Sequence, residues 1–297
     1  MVSSRKSAFA HLAFFVAVLQ AACAGVVKVH GDGNSVDDVS SHYGHFLGCV
    51  VPALLSAAEL DGRLTLAVTE RALAQVPFLR ELRALLPTLD VSLTTDNATY
   101  AAARVVGCGA LAAYREYVLR VVRPSAVTPP SVLYVRRGHD KRLPAGDNGA
   151  YRRVLVNEEA VVAAARHLCD SLGATFRVVV PENLPTARQI EIFSSSAVVI
   201  GVHGAGLVNV VFAEQPCVIE LPPVQDEHWF PNYFGQALPR KWMTLAADDS
   251  NVTETPAPTH LISLNPQSRK AATVSVEATM ALLRKCFTNP APAKLHR

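Results

Sequence analysis

The hydrophobic positions along the chain form short apolar runs that alternate with amphipathic stretches. The apolar runs predict strands at 62–68, 89–94, 131–137, 175–180, 197–202, 216–221 and 241–247. Apolar residues at helical spacing predict helices at 71–86, 110–122, 157–173, 184–195, 206–214, 231–238 and 274–286. Regular alternation of strands and helices indicates an α/β fold with parallel sheets.

A proline-rich stretch at 123–131 divides this alternation into two runs and is the best candidate for a linker. It predicts two Rossmann-like domains that face a cleft, at 25–125 and 131–272, with a closing helix and a disordered tail at 273–297. In such folds ligands bind at the carboxyl ends of the strands, so we expect the site in that cleft.

The amino-terminal region is typical of a secretory chain. Arg5 and Lys6 precede an apolar run that ends in small residues, which predicts a signal peptide or signal anchor at 1–24 and favours the cleaved form. Asn97 and Asn251 begin N-x-T triplets, which suit a glycoprotein. We therefore expect the lumen of the endoplasmic reticulum or Golgi, or secretion, with membrane contact only through a retained anchor.

Composition limits the classes of partner. Half of the residues are hydrophobic and 18% are charged, which fits a packed globule, and a net charge of +3 gives no reason to expect nucleic acid. No cysteine has zinc-ligand spacing, so we expect no metal site. One or two disulfides and an odd thiol are expected, in a pairing that the sequence leaves open, among Cys49, Cys108, Cys169, Cys217 and Cys286.

A glycine-rich turn joins the predicted strand at 197–202 to the predicted helix at 206–214. Backbone N–H groups in such a turn can approach an anion closely, and the helix N-terminus adds a favourable potential. A histidine within the turn can donate to the same oxygens. The candidate binding residues of the turn are His203, Gly204, Ala205, Gly206 and Asn209.

Glu220 ends the next predicted strand, where an acidic side chain often accepts hydrogen bonds from ribose hydroxyls. With the glycine turn it predicts a pocket for a nucleotide diphosphate. The spacing G-x-x-G-x-G differs from the dinucleotide fingerprint and does not follow the first strand of its half, which disfavours an NAD-dependent oxidoreductase. The sequence lacks G-x-S-x-G, which argues against an α/β-hydrolase.

Basic residues cluster before the predicted helix at 157–173. Arg137 lies at the carboxyl end of a strand, and Arg153 precedes a short strand that leads to Asn157. Arginine binds phosphate oxygens bidentately, so one or both can hold a diphosphate. Asn157 and Glu158 are candidate ligand contacts too, although a helix cap and a first-turn acid are equally good interpretations.

These segments resemble glycosyltransferase family 61. Its central signature is similar to GVHGAGLVNVVFAEQPCVIELP, from Gly201 to Pro222. An earlier signature resembles LYVRR…RRVLVNEE, with matching positions at Arg137, Arg153 (or Arg152), Asn157 and Glu158. A looser resemblance at 42–54 puts His45 at a family histidine, which makes His45 the candidate catalytic base, and Cys49 where relatives carry Asp.

The resemblance implies a GT-B fold in which the amino-terminal domain faces the acceptor and the carboxyl-terminal domain binds the nucleotide sugar. It implies inverting transfer of a xylose-, arabinose- or N-acetylglucosamine-class sugar from a UDP-sugar to a hydroxyl of a glycoprotein or polysaccharide. No D-x-D triplet is present, so we expect no metal and no cofactor beyond the donor substrate. Because Cys49 stands where relatives carry Asp, a second interpretation stays open, namely that this chain is a catalytically impaired relative that only binds a nucleotide or a glycan.

Overall fold

The computed structural model describes residues 26–29, 64–68, 91–98, 103–106, 115–116, 131–138, 153–213, 216–222, 242–245, 252–255 and 270–288. The chain divides into two compact units, Met1–Ala110 and Leu111–Arg297. The predicted linker lies almost wholly outside the described residues, so the domain bounds 25–125 and 131–272 stay predictions.

The first unit contains a parallel sheet whose described strands are Val26–Val29 (β1), Leu64–Ala67 (β2), Val91–Thr94 (β3) and Arg104–Val106 (β4). Its strand order is β3-β2-β1-β4, and every pairing is parallel. The same order is found among the first four strands of many dinucleotide-binding folds. The predicted strands at 62–68 and 89–94 are confirmed, and Leu66 and Ala67 are buried.

The second unit contributes Ser131–Val135 (β5), Arg153–Leu155 (β6), Thr175–Val179 (β7), Val198–Val202 (β8), Cys217–Leu221 (β9), Trp242–Thr244 (β10), Val252–Thr255 (β11) and Lys270–Val274 (β12). Five of these strands form a parallel sheet in the order β10-β9-β8-β5-β7. The order of the smaller sheet is β11-β12-β6, with β11 antiparallel to β12. The predicted α/β fold with a parallel sheet is therefore confirmed.

Helices cover both faces of the five-stranded sheet. The described α-helices are Glu158–Ser171 (α1), Thr186–Ser194 (α2) and Val276–Thr288 (α3), and the described 3-10 helices are Pro181–Asn183 and Ala205–Phe212. One face packs with α1 and α3 into an apolar core that includes Tyr134 and Ile200. On the opposite face Leu207 packs so closely on β8 that a Cβ at Gly201 would lie 3.0 Å from its Cδ2.

Two segments differ from the sequence-based predictions. The helix predicted at 206–214 is a 3-10 helix, Ala205–Phe212, and its β-branched Val208, Val210 and Val211 explain the weak preference for an α-helix. The predicted loop at 248–259 contains β11, which pairs with β12. Tertiary pairing thus overrides a weak local preference.

Asn157 occupies the N-cap position of α1, as predicted, but its side chain makes no cap hydrogen bond. Its Nδ2 donates to the Val274 carbonyl oxygen at 2.7 Å, and its Oδ1 accepts from the Val274 N–H at 3.1 Å. The side-chain amide thus pairs with both the N–H and the carbonyl oxygen of one residue, whereas a side chain that caps a helix only accepts from backbone N–H groups. The side chain consequently attaches the start of α1 to the end of β12.

A disulfide joins Cys217, the first residue of β9, to Cys286 in α3. Cys169 is a buried free thiol, and burial raises its pKa to about 11. The expected disulfide and odd thiol are therefore both present among the described cysteines, whereas Cys49 and Cys108 lie outside that part of the chain. Within the described residues no helix is both long and apolar enough to span a membrane.

We expect the double variant Cys217→Ser/Cys286→Ser to lose free energy of unfolding. The two cysteines are 69 residues apart, and closing a loop of that size removes about 4 kcal/mol of chain entropy from the unfolded state. Urea unfolding of the oxidised proteins measures the loss. Cys169→Ala, which removes a thiol and keeps the disulfide, is the control and should lose much less. Equal urea midpoints for the double variant and the wild type would contradict the disulfide.

Candidate functional site

The strand order creates a crevice at the carboxyl ends of β5 and β8. From β5 the chain crosses to β7 on one side, and it then continues to β8 on the other side of β5. Ligands of doubly wound sheets bind at such a switch point. Val135 of β5 is in register with Gly201 of β8, so the residues that follow the two strands emerge side by side.

Arg137 and the glycine turn meet at this crevice. The Nη1 of Arg137 donates to the carbonyl oxygen of His203 at 2.7 Å. A Cβ on Gly204 would collide with that Nη1 and would lie 2.8 Å from Cζ. Gly204 has φ 155° and ψ 175°, a conformation that is essentially restricted to glycine. The missing side chain at Gly204 therefore makes room for a guanidinium group of the protein itself.

The 3-10 helix begins directly after Gly204, whose carbonyl oxygen accepts from the Leu207 N–H at 2.9 Å. The leading N–H groups of a helix, here those of Ala205 and Gly206, have no acceptor within the helix. Fully buried Asn209 ties this helix to α2, because its Nδ2 donates to Gln189 Oε1 at 2.9 Å and to the Gly206 carbonyl oxygen at 3.2 Å. The contacts described for Asn209 are thus with the protein, and its predicted ligand contact stays a prediction.

His203 and Glu220 form a buried pair. The Nδ1 of His203 is hydrogen-bonded to Oε1 of Glu220, which is 0% exposed. The other oxygen, Oε2, accepts from Trp242 Nε1 at 2.8 Å and from Thr244 Oγ1 at 3.4 Å. Glu220 was expected to bind ribose hydroxyls, and that role stays a prediction, since both oxygens have donors within the protein.

A second polar cluster lies where β5 meets α1. The Tyr134 hydroxyl donates to Glu158 Oε1 at 3.1 Å, and Arg136 Nε lies 3.2 Å from Glu158 Oε2. Arg136 Nη2 lies 2.7 Å from Glu159 Oε1. Burial raises the pKa of Glu158, with Arg136 opposing the shift, and burial also raises the pKa of Tyr134. The first-turn acids of α1 therefore bind Arg136, the neighbour of Arg137.

The structure brings some predicted site residues together and leaves others apart. Those at the carboxyl ends of β5, β8 and β9 are Arg137, His203, Gly204, Ala205, Gly206 and Glu220. Arg153 begins β6, and its backbone is in register with Lys270. His45 lies outside the described residues. Trp242 and Thr244 were not predicted as site residues, since the sequence indicated only that they lie in a strand.

Gly204→Ala should destabilise the protein more than Gly173→Ala. Both glycines have positive φ, but nothing lies within 4 Å of a Cβ at Gly173, where φ is 65°. The Gly173 variant should lose only the strain of a left-handed conformation, about 1–2 kcal/mol. The Gly204 variant should lose more than about 3 kcal/mol, because comparable strain adds to the displacement of Arg137. Urea unfolding of both variants measures the difference, and equal losses would contradict the packing of Arg137 beneath the turn.

Comparison with known proteins identifies the family of this chain. The sequence profile of the family described as Glycosyltransferase 61 matches residues 43–219, which is more than half of the chain. The match includes β5, β8 and the whole glycine turn, and it ends one residue before Glu220. No curated protein matches the chain. The length and position of the profile match show that this chain belongs to glycosyltransferase family 61.

Proposed function

We propose that this chain is an inverting glycosyltransferase that moves a xylose-, arabinose- or N-acetylglucosamine-class sugar from a UDP-sugar to a hydroxyl of a glycoprotein or polysaccharide. Membership of family 61 supports glycosyl transfer. The observation that carries the proposal is the contact between Arg137 and the carbonyl oxygen of His203 at the switch point of the parallel sheet. This contact holds the Arg137 guanidinium next to the glycine turn, and the first N–H groups of the 3-10 helix follow directly after that turn.

This arrangement suits the diphosphate of the donor. Arg137 supplies a permanent positive charge, and the N–H groups of Ala205 and Gly206 supply donors at the positive end of a helix. His203 adds a ring nitrogen that can donate to phosphate oxygens. Negative charge grows on the diphosphate as the glycosidic bond breaks, and preorganised donors of this kind stabilise it without reorientation.

Inversion requires one in-line attack by the acceptor hydroxyl. We assign the general base to His45, in the amino-terminal half of the chain, and the leaving-group contacts to the carboxyl-terminal half. The fold that we propose is accordingly of the GT-B type, with two Rossmann-like domains. In this proposal fixed cations and helix N–H groups take the place of a metal ion at the diphosphate.

We place the protein in the secretory pathway, either in the lumen of the endoplasmic reticulum or Golgi or outside the cell. The basic and apolar segment at 1–24 supports this location. The disulfide between Cys217 and Cys286 agrees with it, because disulfides persist in oxidising compartments.

A catalytically impaired relative that only binds a nucleotide or glycan is the second candidate. It is favoured by Cys49, which stands where the resembling proteins carry Asp. A thiol in an oxidising compartment is a poor general base. A relative that binds the nucleotide would match the first candidate in UDP affinity and differ from it in turnover.

Arg137→Ala should weaken UDP binding, because it removes a charged donor from the diphosphate. Hydrogen bonds to charged groups contribute enough to predict a loss of roughly 10- to 100-fold in affinity. Titration calorimetry with UDP measures the change. Arg188→Ala is the matched control, since Arg188 pairs with Glu191 on the exposed face of α2. Equal UDP affinity in both variants and the wild type would remove Arg137 from the site.

His45→Ala should abolish transfer and leave UDP affinity unchanged, because a general base acts on the acceptor and not on the nucleotide. Losing an acid–base group typically lowers the rate by about 10²- to 10⁴-fold. Release of UDP in the presence of a sugar donor and acceptor measures the rate. His167→Ala, on the exposed surface of α1, is the control. UDP binding without turnover in the wild type would instead support the impaired relative.

A further inference from the structure

Glu220 has the contacts of a residue that acts through a neighbour. It lies in β9, where Ile219 and Leu221 face the core with α1 and α3, so that alternation directs Glu220 to the opposite face. There it is fully buried, and it is in register with Gly201 on one side and Thr244 on the other. A buried carboxylate requires donors for both oxygens, and His203 and Trp242 supply them.

This pairing determines which nitrogen of His203 can act on a ligand. An ionised Glu220 can only accept, so this hydrogen bond then requires a proton on Nδ1 of His203. Any contact between the ring and a ligand is then made through Nε2. The backbone of His203 is also held on both sides, since its N–H donates to the Leu221 carbonyl oxygen at 2.9 Å and its carbonyl oxygen accepts from Arg137.

We propose that Glu220 is a positioning residue that holds the His203 ring through Nδ1, so that Nε2 is presented to the diphosphate of the donor. Trp242 holds the second carboxylate oxygen and thereby fixes the carboxylate itself. The inference rests on the proposed nucleotide-sugar site. It differs from a ribose contact, in which Glu220 would touch the substrate directly.

A glutamine at this position cannot reproduce the arrangement. The carboxylate gives one accepting oxygen to His203 and the other to Trp242, whereas an amide has a single accepting oxygen. Glu220→Gln therefore leaves either the ring or the indole facing an NH₂ group. Removing a partner that orients a ligand-binding histidine typically costs about 10- to 100-fold in affinity, by comparison with histidines that bind metals.

The test is a double-mutant cycle on UDP affinity with His203→Asn. The Asn side chain retains a donor near the position of Nδ1 and lacks Nε2, so it should keep Glu220 satisfied and lose the ligand contact. We expect Glu220→Gln to weaken UDP binding by about 10- to 100-fold in the wild type and to have no further effect in His203→Asn. An equal loss in both backgrounds would overturn the proposal.

Analogues of UDP separate the positioning role from a ribose contact. If Glu220 acts through His203, Glu220→Gln should lower the affinities for UDP, 2′-deoxy-UDP and 3′-deoxy-UDP by the same factor. If Glu220 binds the ribose, the wild type should prefer UDP over a deoxy analogue and the variant should lose that preference. The second result would overturn the proposal in favour of direct contact.

Nitrogen-15 NMR of the histidine ring tests the pair without any nucleotide. The signals of the His203 ring are assigned by their absence from the spectrum of His203→Asn. We expect this ring to carry a proton on Nδ1 in the wild type and to shift towards the Nε2–H tautomer in Glu220→Gln. Trp242→Phe keeps the carboxylate and should give a smaller shift, which provides a second variant if Glu220→Gln folds poorly. A wild-type ring protonated only on Nε2 would overturn the proposal, whereas absence of UDP binding with the expected spectrum would contradict the nucleotide site alone.

Discussion

The parallel pairing of β5 with β8 is the constraint on which the candidate site depends. It brings Arg137 and His203, which are 66 residues apart in sequence, to neighbouring places at one edge of the sheet. The chain leaves β5 and β8 towards opposite sides of the sheet, and a crevice opens between the two connections. A basic residue after one strand and a glycine turn after the other thereby become parts of one structure.

Beneath that crevice the sheet holds its polar groups in fixed positions. Glu220 is buried in a β-strand, where an unpaired carboxylate would be strongly destabilising, and its donors come from the turn after β8 and from β10. Arg137 in turn fixes the turn by its bond to the backbone of His203. Hydrogen bonds to both oxygens of Glu220 stiffen the site, and stiffness is what electrostatic stabilisation of a leaving group requires.

The local parts of this structure could be predicted from the sequence, whereas the contacts between distant parts could not. Apolar runs bounded by turn residues predict β5, β8 and β9, and the glycine turn is recognisable because Gly204 and Gly206 stand between a predicted strand and a predicted helix. The rule for helix caps located the start of α1 at Asn157 but missed the partner of its side chain, since Val274 is 117 residues away and no local pattern indicates that contact. The pairing of Trp242 with Glu220 depends on the order of the strands, which periodicity does not encode.

The guanidinium beneath Gly204 has a consequence for how these two positions can vary in evolution. A larger residue at position 204 would require both a backbone that tolerates φ 155° and a shorter side chain at position 137, because the guanidinium occupies the space of the missing Cβ. Replacement of Gly204 while Arg137 is retained is thus a poor intermediate, whereas a shorter residue at position 137 is compatible with Gly204. Among homologues we therefore expect a loss of the glycine to be accompanied by a loss of the arginine, whereas the arginine can be lost while the glycine is kept.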